Sequence, residues 1–378
     1  TNITINNYGA ISSGGDKAIL ASGNNWSISN YSGGTVSASG EGAIYFDDDA
    51  SDAIIYNEGT ITSSGKNTVR LNGLIRPTLT NHGTISSATG IEVVNIRETT
   101  GAKITNTGSI KSLGNNTAIG ALQAIDATID NSGTIHAEGD NTVKLDGSGG
   151  VGVTGASITN SGTISAGGDE AIYIGNNSSG IAITNSGTIS AIGTSAIYGD
   201  NNVVGFTLTN SGTVTADDKT VYLETTSTVN NSGTISATNA GADKTAIRID
   251  GDNNTITNTG TISGTDSIRV VSGATGNKII VDGNNVTFTG EIELNSTAST
   301  FELSCTLTKD IDIEIFDKTN MDITNNLCGN DTFEILDSNK VADPDNSESN
   351  GYLRIYGEDL DIAQDNAQYR SENVLSKL

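Results

Sequence analysis

Residues 156–191 read ASITNSGTISAGGDEAIYIGNNSSGIAITNSGTISA, and the phrase at 158–166 returns letter for letter at 183–191. A fixed internal repeat governs the fold, so it takes precedence over any local reading. The phrase apolar-x-Asn-x-Gly-Thr-Ile places its glycine at Gly9, Gly59, Gly83, Gly108, Gly133, Gly162, Gly187, Gly212, Gly233 and Gly260. An irregular copy, SNYSGGTV, puts Gly34 in register with one extra residue after Asn30. Ten steps cover the 251 residues from Gly9 to Gly260, with single steps of 21 to 29 absorbed by loops. The period is about 25 residues, in the range of solenoid repeats.

Two further apolar phrases recur in each period. One follows the glycine by about ten residues (KAIL, GAIYF, NTVKL, EAIYI, TAIRI), and one precedes the asparagine (WSI, PTL, ASI, NTI). All are short, alternate apolar with polar, favour β-branched residues and are bounded by Gly, Asn and Asp, which is the pattern of strands. Three short strands per unit, stacked unit on unit, predict an all-β chain: a right-handed parallel β-helix of about eleven coils. At ~4.8 Å per coil the rod is on the order of 50 Å long.

Composition agrees with a thin core. The 378 residues are 34% hydrophobic and 4% aromatic, with 46 Gly and 2 Pro, where a compact domain is nearly half apolar. A net charge of -25 from 19 basic and 44 acidic residues disfavours a nucleic-acid-binding face. No apolar run approaches the ~18 residues of a membrane span. The start, TNITINN, has neither a signal-sequence pattern nor an initiator Met, and reads as a mature chain or an excised fragment.

Within ASITNSGTISA, alternation turns Ile158 and Ile164 inward and Thr159, Thr163 and Ser165 outward. Asn160 falls inward at a turn. Stacked at every coil, Asn160, Asn185 and Asn210 are expected to form a structural amide ladder, since an unpaired buried amide costs roughly 1–3 kcal/mol. Gly162 is expected to supply a backbone conformation with positive φ.

The Asn-x-Gly phrase stops before residue 290. The last 88 residues carry 6 basic and 19 acidic side chains, and segments such as DIDIEIF and TFEIL still alternate. The organisation expected is β-helix repeats over 1–290, a less regular β cap over 291–345, and a loop with a short terminal helix over 346–378. Cys305 and Cys328 stand 23 residues apart, about one coil, a spacing within disulfide reach if stacked. The alternative is two buried thiols.

Chemistry is sparse. His82 and His136 lie two repeats apart, away from any cysteine, and no nucleophile elbow, phosphate loop, HExxH or CxxC occurs. No metal site or cofactor is expected. Asp47, Asp48 and Asp49 read as a solvated bend, and the turns at 167–170 (GGDE) and 251–254 (GDNN) as weak calcium candidates at most. The least bland surface is the outward middle position of the AIYI-type strand: Tyr45, Arg70, Glu92, Gly120, Lys144, Tyr173, Tyr198, Tyr222, Arg248, Arg269. Tyr173, Tyr198, Tyr222, Arg248 and Arg269 form either a binding stripe, for a surface glycan or a protein ligand, or a ladder that stabilises coil stacking.

The tandem NSGTI coils, the Gly/Ser/Thr/Asn composition and the acidic balance resemble passenger domains of Gram-negative autotransporters, over residues 1 to about 290. The tail, FELSCTLTKDIDIEIF through ENVLSKL, looks like the junction before the translocator barrel. The resemblance implies a folding-promoting cap, a linker helix and an outer-membrane barrel following in the full-length chain. It implies display on, or release from, the cell surface as a stalk or adhesin, with self-association open. No protease triad matches, so the expectation is a non-enzymatic protein. Two alternatives stand: a polysaccharide lyase or glycosidase on a β-helix, and a phage tail fibre or extracellular filament subunit.

Overall fold

The computed structural model describes residues 2–46, 51–200, 202–239, 244–294 and 299–304, plus the backbones of strands Ile311–Phe316, Asp322–Asn325, Thr332–Asp337 and Gly351–Tyr356. It is a parallel β-solenoid of about twelve turns, with no helix among the described residues. The fold is the one the repeat predicts.

One coil shows the plan. An Asn strand, Ser157–Asn160, turns a corner into a middle strand, Thr163–Ala166, and the third strand, Glu170–Ile174, follows. Each strand pairs in parallel with its counterparts one coil below and above. Ile158 is flanked by Ile129 and Ile183, Ile164 by Ile135 and Ile189, and Ile172 by Val143 and Ile197. The chain returns in the same direction after every circuit, so the pairing is parallel by construction.

Period-two alternation then lines the interior with one or two apolar residues per strand. Ile158, Ile164, Ile172 and Ile174 are buried, whereas Thr159 faces solvent and Thr163 and Ser165 are half-buried. Small alanines such as Ala166 and Ala171 fill the narrow parts of the circuit, and Phe46, Phe206 and Phe301 are the largest fully enclosed side chains. A low apolar content suffices because the core is a column only a few side chains wide.

The corners divide the backbone demands. A left-handed residue stands just before the Asn strand in coil after coil: Asp52, Arg76, Gly101, Asp126, Gly155, Gly180, Gly205, Thr226, Asn253 and Gly276, with φ between 52° and 72°. Beside this corner a fourth line of single bridges runs Ile75–Thr100–Ile125–Thr154–Ser179–Val204–Thr225.

The glycine of the Asn-x-Gly corner is different. The expectation of positive φ at Gly162 is corrected: its φ lies outside the left-handed region. Its lack of a side chain answers to close approach. A Cβ on Gly162 would collide with the Gly133 carbonyl oxygen and lie 2.6 Å from the Ser132 carbonyl carbon. The same collision recurs from Gly83 to Gly260, because each corner rests directly on the one before it.

The regular corner ends at Asn258, whose register partner in the next coil is Val281. Farther on, the pairing changes direction. Gly351–Tyr356 lies between Ile311–Phe316 and Thr332–Asp337, antiparallel to both. That strand occupies part of the segment expected as loop and linker: GYLRIY carries the β-prone residues a strand needs, and its register pairs along its whole length. Cys305, Cys328, Asp47–Asp49 and the expected terminal helix lie outside the described residues, as does most of 291–378.

Candidate functional site

Two side-chain rows run the length of the solenoid. The inner row is the corner asparagines. Asn160 Nδ2 donates to Asn185 Oδ1 at 2.8 Å, to Gly162 O at 3.2 Å in its own corner, and to Thr188 O at 3.0 Å in the next coil. Asn185 and Asn210 repeat this triple contact. The chain of amides runs unbroken from Asn7 to Asn258, every step 2.7–2.8 Å. Asn160, Asn185 and Asn210 are fully buried, so this row is architecture and offers a ligand nothing.

The outer row lies on the third strand. Register places Tyr45 against Arg70, Arg70 against Asn95, Asn95 against Gly120 and Gly120 against Lys144. Lys144, Tyr173, Tyr198, Tyr222, Arg248, Arg269 and Glu293 then follow in order. Glu92 is therefore not in this row: it pairs with Asn67 and Thr117, and Asn95 holds the outward slot. IEVVN has two adjacent valines, both buried, so alternation alone does not fix which neighbour faces out.

The three tyrosines stack on one another. Ring centroids are 5.9 Å apart for Tyr173–Tyr198 and 4.7 Å for Tyr198–Tyr222, with planes inclined by 11° and 29°. The Lys144 ammonium lies 5.6 Å from the Tyr173 ring and the Arg248 guanidinium 5.8 Å from the Tyr222 ring, closing both ends of the stack. Tyr173 donates its hydroxyl to Asp200 and Tyr222 to Asp250, each at 2.6 Å. Arg248 grips Asp250 through two nitrogens at 2.7 and 3.0 Å, and Arg269 reaches Glu293 at 2.7 Å.

Burial, and then the accepting carboxylates, push the Tyr173 and Tyr222 phenols well above their ordinary value. Burial raises Tyr198 as well, and burial followed by the Asp250 charge raises the Glu224 carboxyl. Electrostatically the stack is a cation–aromatic sandwich whose faces are already used. It presents ring edges to solvent, which makes coil stacking the role its geometry serves best.

A second aromatic row, which the repeat analysis misses, flanks the Asn corner. Tyr8 and Tyr31 stack at 4.5 Å and 7°, Tyr31 leans on Tyr56 at 6.3 Å, and His82 meets Tyr56 edge-on at 5.4 Å. His82 Nδ1 is 2.6 Å from Thr107 Oγ1. Its signal lies in the sequence: Tyr8, Tyr31 and His82 all follow the corner asparagine, and only a comparison of that variable slot across coils brings them together. His136 sits a coil below Ser165, with Nδ1 2.9 Å from its hydroxyl, and plays no part in either row.

The outer row is interrupted once among the described coils between Tyr45 and Glu293. Gly120 brings no side chain; a depression of about 460 Å³ whose lining does not include Gly120 is formed by Lys66, Arg70, Glu92, Asn95, Arg97, Glu98 and Leu122 among others. The Glu92 carboxylate leans over Gly120, where a Cβ would meet it, and accepts a hydrogen bond from Asn95 Nδ2. Burial pushes the Glu92 carboxyl up, against the opposing pull of that hydrogen bond and of the Lys144 and Arg97 charges. Arg97, 45% exposed, bonds Glu98 through Nε at 3.0 Å, and Lys66 is 66% exposed.

Among the described residues, no three His, Cys, Asp or Glu side chains converge as a metal would require. The polar atoms of the GDNN turn already have protein partners: Asp252 Oδ1 accepts from Thr275 N of the next coil at 2.6 Å, and Asn254 Nδ2 donates to Gly251 O at 3.1 Å. In comparisons with known proteins, the chain matches no protein-family description, no curated protein and no solved structure, so its fold and its two side-chain rows are the ground for any functional reading.

Proposed function

We propose that the chain is a secreted or surface-displayed passenger of the autotransporter kind, a stalk or adhesin that acts by contact and not by turnover. The observation that carries this reading is the uninterrupted solenoid. Eleven corner asparagines in register, with Ser and Thr over much of the outer surface, build a rod from contacts between adjacent coils. About twelve turns at ~4.8 Å give on the order of 55 Å of reach. Such a rod folds coil by coil, which suits a chain that arrives at the surface unfolded.

Acidic net charge and hydroxyl-rich faces discourage edge pairing and aggregation where protein is crowded on a surface. In this reading a translocator barrel follows the chain in the full-length protein. The test is protease shaving of intact cells that express the complete gene. Release of the 1–290 epitope before lysis is the expected result. An epitope protected until the cells are broken would overturn the reading.

A further inference from the structure

We propose that Glu92 and Gly120 form a proton-operated latch between two adjacent coils. With a neutral carboxyl, Glu92 lies folded over Gly120, as the structure shows it. With an ionised carboxyl, it leaves that seat for the open depression beside its own strand. The device belongs to the rod itself and stands whatever the rod binds.

One glycine creates the seat. Gly120 is flanked in register by Asn95 and Lys144, at the outward position that a side chain fills in the other described coils of the row. The space left open is taken by a side chain from the coil before. A Cβ at Gly120 would collide with Glu92 Oε1 and lie 2.9 Å from its Cγ, so the Glu92 side chain rests directly against the glycine.

What holds the carboxyl there suits its neutral form. Glu92 is partly buried, and among the described residues it makes no ion pair and accepts one hydrogen bond, from Asn95 Nδ2. A carboxylate withdrawn from water needs a paired charge or several donors, and one amide supplies neither. Lys66 and Arg70 stand on the coil before, Arg97 and Glu98 follow on the same coil, and Asp140 and Lys144 lie two coils on. Thr117–Leu122, packed against Glu92, carries no charged residue.

The cations have other partners: Lys66 has Glu41, Arg97 has Glu98, Lys144 has Asp146, and Arg70 lies against the Tyr45 ring. Burial is accordingly the largest influence on the Glu92 carboxyl and holds its proton above the ordinary value of 4.5, while Asn95, Lys144 and Arg97 only reduce that rise.

The second position lies alongside. Glu92 lines the depression of about 460 Å³, so rotation of its side chain carries the carboxylate toward water. The strand need not move, and it stays paired on both sides with Asn67–Arg70 and Thr117–Leu122. Because the folded state holds this proton more tightly than the unfolded chain, the stability it brings is complete below pH 4.5 and is lost as pH rises through the raised folded value. The two coils are therefore fastened most firmly in mild acid.

The experiment is a carbon-13 NMR titration of the 378-residue chain labelled at its glutamate carboxyls, with Glu92→Gln identifying the Glu92 signal. A Glu92 midpoint about one pH unit or more above 4.5 is expected. Gly120→Ala is the decisive variant. Its backbone is not left-handed, and its methyl group takes the seat while meeting only the flexible end of Glu92. The carboxyl is then held in the depression at every pH, and its midpoint is expected to return to within about half a unit of 4.5.

In thermal melts, the wild type is expected to lose about 1–2 °C relative to Glu92→Gln as the pH rises through the Glu92 midpoint. A wild-type midpoint at 4.5, or a raised midpoint that Gly120→Ala leaves in place, would each overturn the latch. If Gly120→Ala does not fold, the melts decide: a difference between wild type and Glu92→Gln that stays constant with pH overturns it equally.

Discussion

The corner asparagines and the outer row of the third strand are built on the same coils at the same spacing, and they vary in opposite ways. From Asn7 to Asn258 the corner never changes residue, because each buried amide must satisfy an identical amide in the next coil and two carbonyls besides. The outer row changes at most coils: Tyr45, Arg70, Asn95, Gly120, Lys144, then three tyrosines and two arginines. A side chain there has only to fit its two neighbours, and tyrosine on tyrosine or cation on tyrosine does so equally well. Uniformity therefore marks what holds the rod together, and variation marks positions that answer only to their neighbours.

The sharpest way to break this contrast is to remove the uniform element. Replacing Asn160, Asn185 and Asn210 together with Leu is expected to cost about 2 kcal/mol for each amide, because neighbouring carbonyls and amides are left unpaired in the interior. Replacing Thr163, Thr188 and Thr213 with Ser keeps every hydroxyl and is expected to change stability by about 1 kcal/mol in total. Equal melting temperatures in the two triple variants would sink the assignment of the corner as the main polar support.

Next in size is the corner glycine. Gly187→Ala drives a methyl group into the Gly162 carbonyl oxygen, backbone that cannot yield, with an expected loss of about 3 kcal/mol. Gly9, the first of the same row, has open space within 4 Å of where a Cβ would stand, so Gly9→Ala is the matched control and is expected to be nearly neutral. Denaturant midpoints for the pair measure close approach separately from glycine's backbone freedom.

The outer row is expected to respond less. Tyr198→Ala removes both ring contacts in the centre of the stack, and about 1–2 kcal/mol is expected to go with them. The row also sets an alkaline limit. The folded state holds the Tyr173 and Tyr222 protons more tightly than the unfolded chain, whose phenols titrate near 10.0. Their contribution is complete below pH 10 and is lost as pH rises from there toward the raised folded values. The double variant Tyr173→Phe, Tyr222→Phe is expected to flatten the fall in melting temperature above about pH 10, and an unaltered alkaline limb would show that the phenols are not coupled to folding.

The smallest effect expected has the opposite sign. Thr226 is β-branched yet adopts φ 58°, at a corner that Gly155, Gly180 and Gly205 occupy in earlier coils. Thr226→Gly is expected to raise stability by about 1 kcal/mol, as relief of left-handed strain outweighs the added chain entropy. A fall in melting temperature would mean that the Thr226 side chain supports the corner in a way its backbone angle does not reveal.

These residues also show what a sequence reveals and what it hides. Ile158, Ile164 and Asn160 are legible because alternation and repetition both point at the interior, and two independent patterns agree. Gly162 is legible as a requirement but not as a cause, since a positive φ and a colliding carbonyl select the same residue. The left-handed corner escapes because Arg76, Asp126, Gly155 and Thr226 share an angle and no chemistry. The outer stripe follows from alternation between Lys144 and Arg269, and alternation misplaces it at Glu92, where paired valines blur the pattern and Asn95 takes the slot. The depression formed by Lys66, Arg97 and Leu122 is invisible for a related reason: its lining comes from three coils.

The amide chain has one more property, which is its polarity. Each corner Nδ2 donates toward the C-terminal neighbour and each Oδ1 accepts from the N-terminal one, so the amide dipoles all point the same way. The column therefore has two unlike ends. At the first coil, where no earlier asparagine donates, Asn7 Oδ1 accepts from Gly9 N at 3.2 Å, and at the last regular corner Asn258 Nδ2 donates only to its own Gly260 carbonyl at 3.1 Å.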